Sequence, residues 1–71
     1  MNLTVAHHIP GRIRWRSAFR FTDAFAVTLA DRLQSVAGVE GVRVSPRSGS
    51  ILVVYSSASA LDAAASLLAS I

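Results

Sequence analysis

The residues best suited to chemistry fall in one stretch, His7-His8-Ile9-Pro10-Gly11-Arg12-Ile13-Arg14-Trp15-Arg16. Its two imidazoles offer nitrogen ligands to a transition metal, and its three guanidinium groups offer paired donors to a carboxylate or phosphate. From Arg12 to Arg16 arginine alternates strictly with a large apolar side chain. Period two is the pattern of a strand with one buried and one wet face. Ile13 and Trp15 are therefore expected in a core, and Arg12, Arg14 and Arg16 on the opposite face. Arg43, in a later strand, is expected to join them.

Each group has a plain reading beside the chemical one. Adjacent strand residues point to opposite faces, so His7 and His8 of one chain chelate a single ion poorly. A closed zinc site takes four ligands, which two copies of the chain would supply as four imidazoles across a dimer interface. Nickel, zinc or copper(II) would suit such a site, and the chain requires no cofactor on any other ground. The arginine row is either a solvated face or a patch for an anionic partner. Nucleic acid is the less favoured anion. Sheet-face readers of RNA stack bases on exposed strand aromatics, whereas Trp15 has the parity opposite to the arginines. Enzymatic activity is not expected. No serine–histidine–acid spacing and no glycine-rich phosphate loop is present, and only four residues are acidic.

Composition narrows the class further. The 71 residues make one small domain, 1–71, with a modest core. They are 52% hydrophobic, too apolar for a disordered tail, although much of that is alanine. There is no cysteine, hence no disulfide framework and no thiolate metal site. All seven basic residues are arginine and the net charge is +3. Met1–Ala6 lacks the basic start and apolar run of an export signal, and no apolar stretch spans a bilayer. The expectation is a cytoplasmic protein with no membrane span.

Several elements must position these groups. Leu3–Ala6 has strand-forming residues, and Pro10-Gly11 suits the centre of a type II turn. Two readings stay open: Leu3–His8 folds back on Arg12–Arg16 as a hairpin, or both form one long edge strand bulged at Pro10-Gly11. Apolar residues at helical spacing predict a helix over Asp23–Ala37, N-capped by Thr22 and closed by Gly38. Val39–Val44 reads as a strand with Val42 and Val44 inward. Ile51–Tyr55 reads as another, apolar on both parities. Ser59-x-x-Asp62 reads as a capping box opening a last helix, whose stripe is Leu61, Ala64, Ala65, Leu68 and Ile71. Phe19, Phe21 and Phe25 cluster around the start of the first helix.

The order is strand, helix, strand, strand, helix, with an extra N-terminal segment. It predicts an α+β, ferredoxin-like split βαβ sandwich: an antiparallel sheet with two helices on one face and its final strand missing. A hairpin at Pro10-Gly11 would place Leu3–His8 in the vacant edge position. Otherwise that edge is free to pair with a second copy. A homodimer is expected on this ground, and because the last helix and the strand Ile51–Tyr55 offer apolar surface to cover.

The run His8-x-Pro10-Gly11-Arg12-x-Arg14-x-Arg16 is followed by a helix. Then comes Gly38-Val39-x-Gly41-Val42-x-Val44-x-Pro46-x-x-Gly49-Ser50-x-Leu52-Val53-x-Tyr55. Together they resemble the heavy-metal-associated domains. The likeness is greatest to the cysteine-poor branch found at the N-termini of some metal-transporting P-type ATPases and as small free-standing proteins. The resemblance covers nearly the whole chain. It implies a ferredoxin-like fold and a role near metal homeostasis. The function expected is a non-enzymatic binding or regulatory module that docks a protein partner, a membrane transporter being one candidate, through its sheet face or edge. It does not carry over the Cys-x-x-Cys ligands of the copper carriers. The corresponding loop, Ser17–Asp23, has no cysteine, histidine or methionine.

Overall fold

Pro10-Gly11 reverses the chain on itself. The computed structural model describes residues 3–71, and the expectations placed on Met1 and Asn2 lie outside it. β1 (Leu3–Ile9) and β2 (Arg12–Ser17) pair antiparallel, with Ile9 opposite Arg12 across a two-residue connection. Gly11 holds φ +85, which a side chain would resist and which the third residue of a type II turn requires. The hairpin is therefore the reading that holds, and Pro10-Gly11 is its turn rather than a bulge. A bulge does occur four residues earlier: the register slips between Val5 and His7 and leaves Ala6 without an opposite residue.

The remaining elements are α1 (Asp23–Gln34), β3 (Val39–Ser45), β4 (Ser50–Tyr55) and α2 (Ala58–Ala69). The sheet order is β1-β2-β4-β3, and every neighbouring pair is antiparallel. β1 thus fills the edge position beside β2 that a split βαβ sandwich gives to its last strand.

One face of this sheet carries the core. Ile13 and Trp15 of β2 and Ile51, Val53 and Tyr55 of β4 are buried with Leu29 and Leu33 of α1 and Ala60, Ala64 and Leu68 of α2. The alternation in β2 is realised in full: Ile13, Trp15 and Ser17 are buried while Arg12, Arg14 and Arg16 are exposed. Alanine at Ala60 and Ala64 lets the α2 backbone come close to the sheet, and both are essentially sealed from solvent. Trp15 supplies much of the volume that so alanine-rich a core would otherwise lack.

Two helix boundaries differ from the sequence expectation. α1 ends at Gln34, not Ala37, with Ser35 as its cap. The Ser35 hydroxyl donates to the Arg32 carbonyl at 2.7 Å, which withdraws that carbonyl from helix propagation. Gly38 instead lies in the turn entering β3, where its carbonyl accepts from the Ser56 N–H at 2.9 Å. At α2 the cap is Ser57, whose hydroxyl accepts from the Ala60 N–H at 3.2 Å. Ser59 lies inside the helix, so Ser59-x-x-Asp62 is not a capping box. A run rich in serine offers several equivalent caps, and the end of β4 at Tyr55 selects the first with room to turn. Of the expected α2 stripe, Ala65 is exposed and Ala60 takes a buried place instead.

Replacing Trp15 by alanine is expected to cost about 3–5 kcal/mol, the usual loss for a buried large aromatic. Denaturant unfolding followed by circular dichroism measures it. The wild-type indole should emit in the blue and resist acrylamide; emission like that of free tryptophan would contradict the burial.

Candidate functional site

The sheet face opposite the helices is laid out by strand register. Residues paired across neighbouring strands share a face, about 4.8 Å apart from strand to strand. The central row runs His7, Arg14, Leu52, Arg43 from β1 to β3. On one side of it lies the row Ile9, Arg12, Val54, Gly41, and on the other Thr4, Arg16, Ser50, Ser45. Arg12, Arg14, Arg16 and Arg43 therefore occupy one face, as the alternation implied, and all four are exposed. Leu52 and Val54 form a half-buried aliphatic strip between the β2 arginines and Arg43.

The charge on this face is uncompensated. None of the four guanidinium groups has a carboxylate within 4.0 Å among the described residues. Their aliphatic stems can lie along the Leu52–Val54 strip while their heads stay in water. The face can offer bidentate donors to carboxylates and aliphatic contact to a side chain laid between them. No tryptophan, tyrosine or phenylalanine stands in these rows, since Trp15 and Tyr55 are buried on the other face. Stacking of nucleobases on tryptophan, tyrosine or phenylalanine therefore has no platform in these rows.

The bulge at Ala6 decides the histidines. His7 opposes Arg14 on the open face; His8 opposes Ile13 on the helix-bearing side. His8 Nε2 lies 2.7 Å from the Tyr55 hydroxyl, and the two rings are tilted with centroids 6.3 Å apart. Tyr55 is otherwise buried, so His8 gives its hydroxyl a partner at the rim of the core. Within one chain the two imidazoles thus stand on opposite sides of the sheet. No group of three or more His, Asp or Glu gathers anywhere among the described residues.

The β2–α1 loop is equally unsuited to a soft ion. The Thr22 hydroxyl accepts from the Phe25 N–H as the α1 cap, and the Ser17 hydroxyl accepts from the Phe19 N–H. What remains there is aromatic, with Phe21 and Phe25 rings at 5.3 Å and Phe19 largely exposed. A heavy-metal ion of the kind carried on paired thiolates does not fit the donors of a single chain.

Reasoning from residue types had singled out the arginines and histidines but not Ile9, Leu52 and Val54 as parts of one surface. The signal was available in β4, which is apolar on both parities although helices cover only one face.

The fold and this face define a small α+β ferredoxin-like module that presents a basic sheet surface. Comparison with protein-family profiles matches residues 2–71 to heavy metal associated domain 2, and the chain belongs to that family. No curated protein and no solved structure matches it. It is a cysteine-free member of a metal-associated family. No helix of the described residues is long and apolar enough to cross a membrane.

Arg14, exposed and without a carboxylate partner, should contribute little to folding. Arg14→Gln is expected to change stability by no more than about 0.5 kcal/mol in chemical denaturation. A larger loss would mean that Arg14 holds a structural pairing.

Proposed function

We propose that the chain is a non-enzymatic docking module whose open sheet face receives an acidic segment of a protein partner in metal homeostasis. One observation carries this reading: Arg14 and Arg43 flank Leu52 in a single register row, and in the row beside it Arg12 stands next to Val54. A line of cations on β2 and Arg43 across an aliphatic strip suit a segment with carboxylates at its margins and a leucine-like side chain at its centre. A membrane transporter with such a segment is the partner class that the family membership favours.

A synthetic amphipathic helix with glutamates flanking leucines serves as the probe, with binding read by calorimetry at low and high salt. Arg14→Glu together with Arg43→Glu should weaken binding by about a hundredfold or more, each reversed contact being worth at least about 1.4 kcal/mol. Unchanged affinity in the double variant would sink the sheet-face reading. A steep salt dependence with duplex or single-stranded nucleic acid, and none with the peptide, would favour a nucleic-acid binder instead.

Self-association is the second part of the proposal. β1 is an edge strand exposed along nearly all its length, with Val5 57% and Ile9 45% accessible. Antiparallel pairing of two β1 strands about a twofold axis would extend the sheet and place both His7 rings on one face. Such a pair would give nickel, zinc or copper(II) two imidazoles and not the four expected from sequence, because each chain keeps His8 on the other side of the sheet against Tyr55. Sedimentation equilibrium over a wide concentration range is expected to show a dimer. A species of 7.5 kDa at every concentration would remove both the dimer and the shared metal site.

A further inference from the structure

The β2–α1 loop and the β3–β4 turn are joined into one tip. The Ser17 N–H donates to the Gly49 carbonyl at 2.8 Å, and the Phe21 N–H donates to the Pro46 carbonyl at 3.0 Å. Gly49 holds φ +67, and a Cβ there would stand 2.6 Å from the Phe19 carbonyl oxygen. Only glycine lets the turn approach the loop this closely. The contact brings Arg47, on the turn, to the same end of the molecule as Arg20, on the loop, and Arg16, at the close of β2.

At this tip Phe19 is 73% exposed, the most exposed large apolar side chain among the described residues. Behind it lies an open cleft of about 780 Å³, walled by Phe21, Phe25 and Ile71. Arg20 lines this cleft, and Arg47, also exposed, stands on the turn at the same end. Charge is distributed unevenly along the molecule. Of the four acidic side chains only Asp23, in the first turn of α1, belongs to this end. Asp31 is in the last turns of α1, Glu40 near the start of β3 and Asp62 in the first half of α2, so topology puts all three toward the opposite end. The tip thus combines an unpartnered aromatic ring with a local excess of guanidinium groups.

We propose that this tip is a contact for an anionic lipid bilayer surface, with Phe19 entering the headgroup–acyl boundary and Arg20 and Arg47 meeting lipid phosphates. Charge complementarity supplies one argument, since juxtamembrane cations are drawn to anionic leaflets. Shape supplies the other. The ring is exposed at one end of the molecule, with cations at the same end and no matched register row, unlike the open sheet face. A bilayer accepts such a group without shape complementarity, whereas a folded protein partner requires it. The contact is peripheral and separate from the docking face, so either can fail without the other.

Vesicle flotation of the full chain tests it, using phosphatidylcholine alone and phosphatidylcholine with phosphatidylserine. Binding is expected only with phosphatidylserine and is expected to weaken at high salt. Phe19→Ser should lower the partition about tenfold, as loss of a partly inserted aromatic implies. Arg20→Gln with Arg47→Gln should lower it about thirtyfold. Arg14→Gln, on the sheet face, should leave it unchanged. In Phe19→Trp a second, blue-shifting emission should appear on addition of phosphatidylserine vesicles, while the emission of buried Trp15 reports an intact fold in every variant. Equal binding to both vesicle types, binding that survives Phe19→Ser, or an equal loss in Arg14→Gln would each overturn the proposal. So would capture of soluble polyglutamate by the tip without vesicle binding, which would reassign the surface to an acidic protein.

Discussion

The pairing of β2 with β4 at the centre of the sheet is the constraint on which the rest depends. It sets Ile13 beside Val53 and Trp15 beside Ile51, so that two adjacent strands turn their largest apolar side chains toward the helices together. The same register sets Arg12 beside Val54 and Arg14 beside Leu52 on the other side. Core and basic face are two consequences of one alignment, because a one-residue slip of β2 would exchange them. Such a slip would drive guanidinium groups beneath the helices, at a cost far above the stability of so small a domain.

Around that pair the chain secures its edges in different ways. The β1–β2 hairpin closes at Pro10-Gly11, and its turn is tied back to the sheet where the Tyr55 N–H donates to the Gly11 carbonyl at 2.9 Å. β3 is tied through its entry turn to the residues after β4, by the bonds from Ser56 to Gly38. Bulges at Ala6 and Glu40 interrupt both outer strands. Bulged edges resist indiscriminate strand addition. An association through β1 therefore has to satisfy a particular register, and a register-specific edge suits one partner, not many.

Membership of the heavy metal associated domain 2 family and the absence of cysteine together separate scaffold from ligand set. The loop that holds thiolates in copper carriers here spends its hydroxyls on capping α1 and fixing its own turn, and fills the remaining space with phenylalanine. A scaffold that keeps its sheet without the paired thiolates has other surfaces with which to act. Two stand out on physical grounds, the arginine-lined sheet face and the aromatic tip. They differ in kind, one a set of register rows around an aliphatic strip and the other a single exposed ring among cations.

The sequence by itself determined whatever depends on local periodicity. The alternation of β2, the amphipathic α1 and the strand pattern around Val42 and Val44 each fit within a few residues, and the structure keeps them. The four arginines of one face were legible for the same reason. What only the tertiary structure decided depends on groups distant in sequence or on choices between equivalent neighbours. Ser35 ends α1 by bonding back to Arg32, and Ser57 is preferred to Ser59 because β4 stops at Tyr55. The place of β1 beside β2 needed the turn geometry at Gly11, which sequence leaves open between turn and bulge. The sides taken by His7 and His8 depend on the unpaired Ala6, because a bulge inverts the parity of every residue before it relative to those after. The joining of Phe19, Arg20 and Arg47 needed the close approach at Gly49, a contact across some thirty residues of chain that no local pattern encodes.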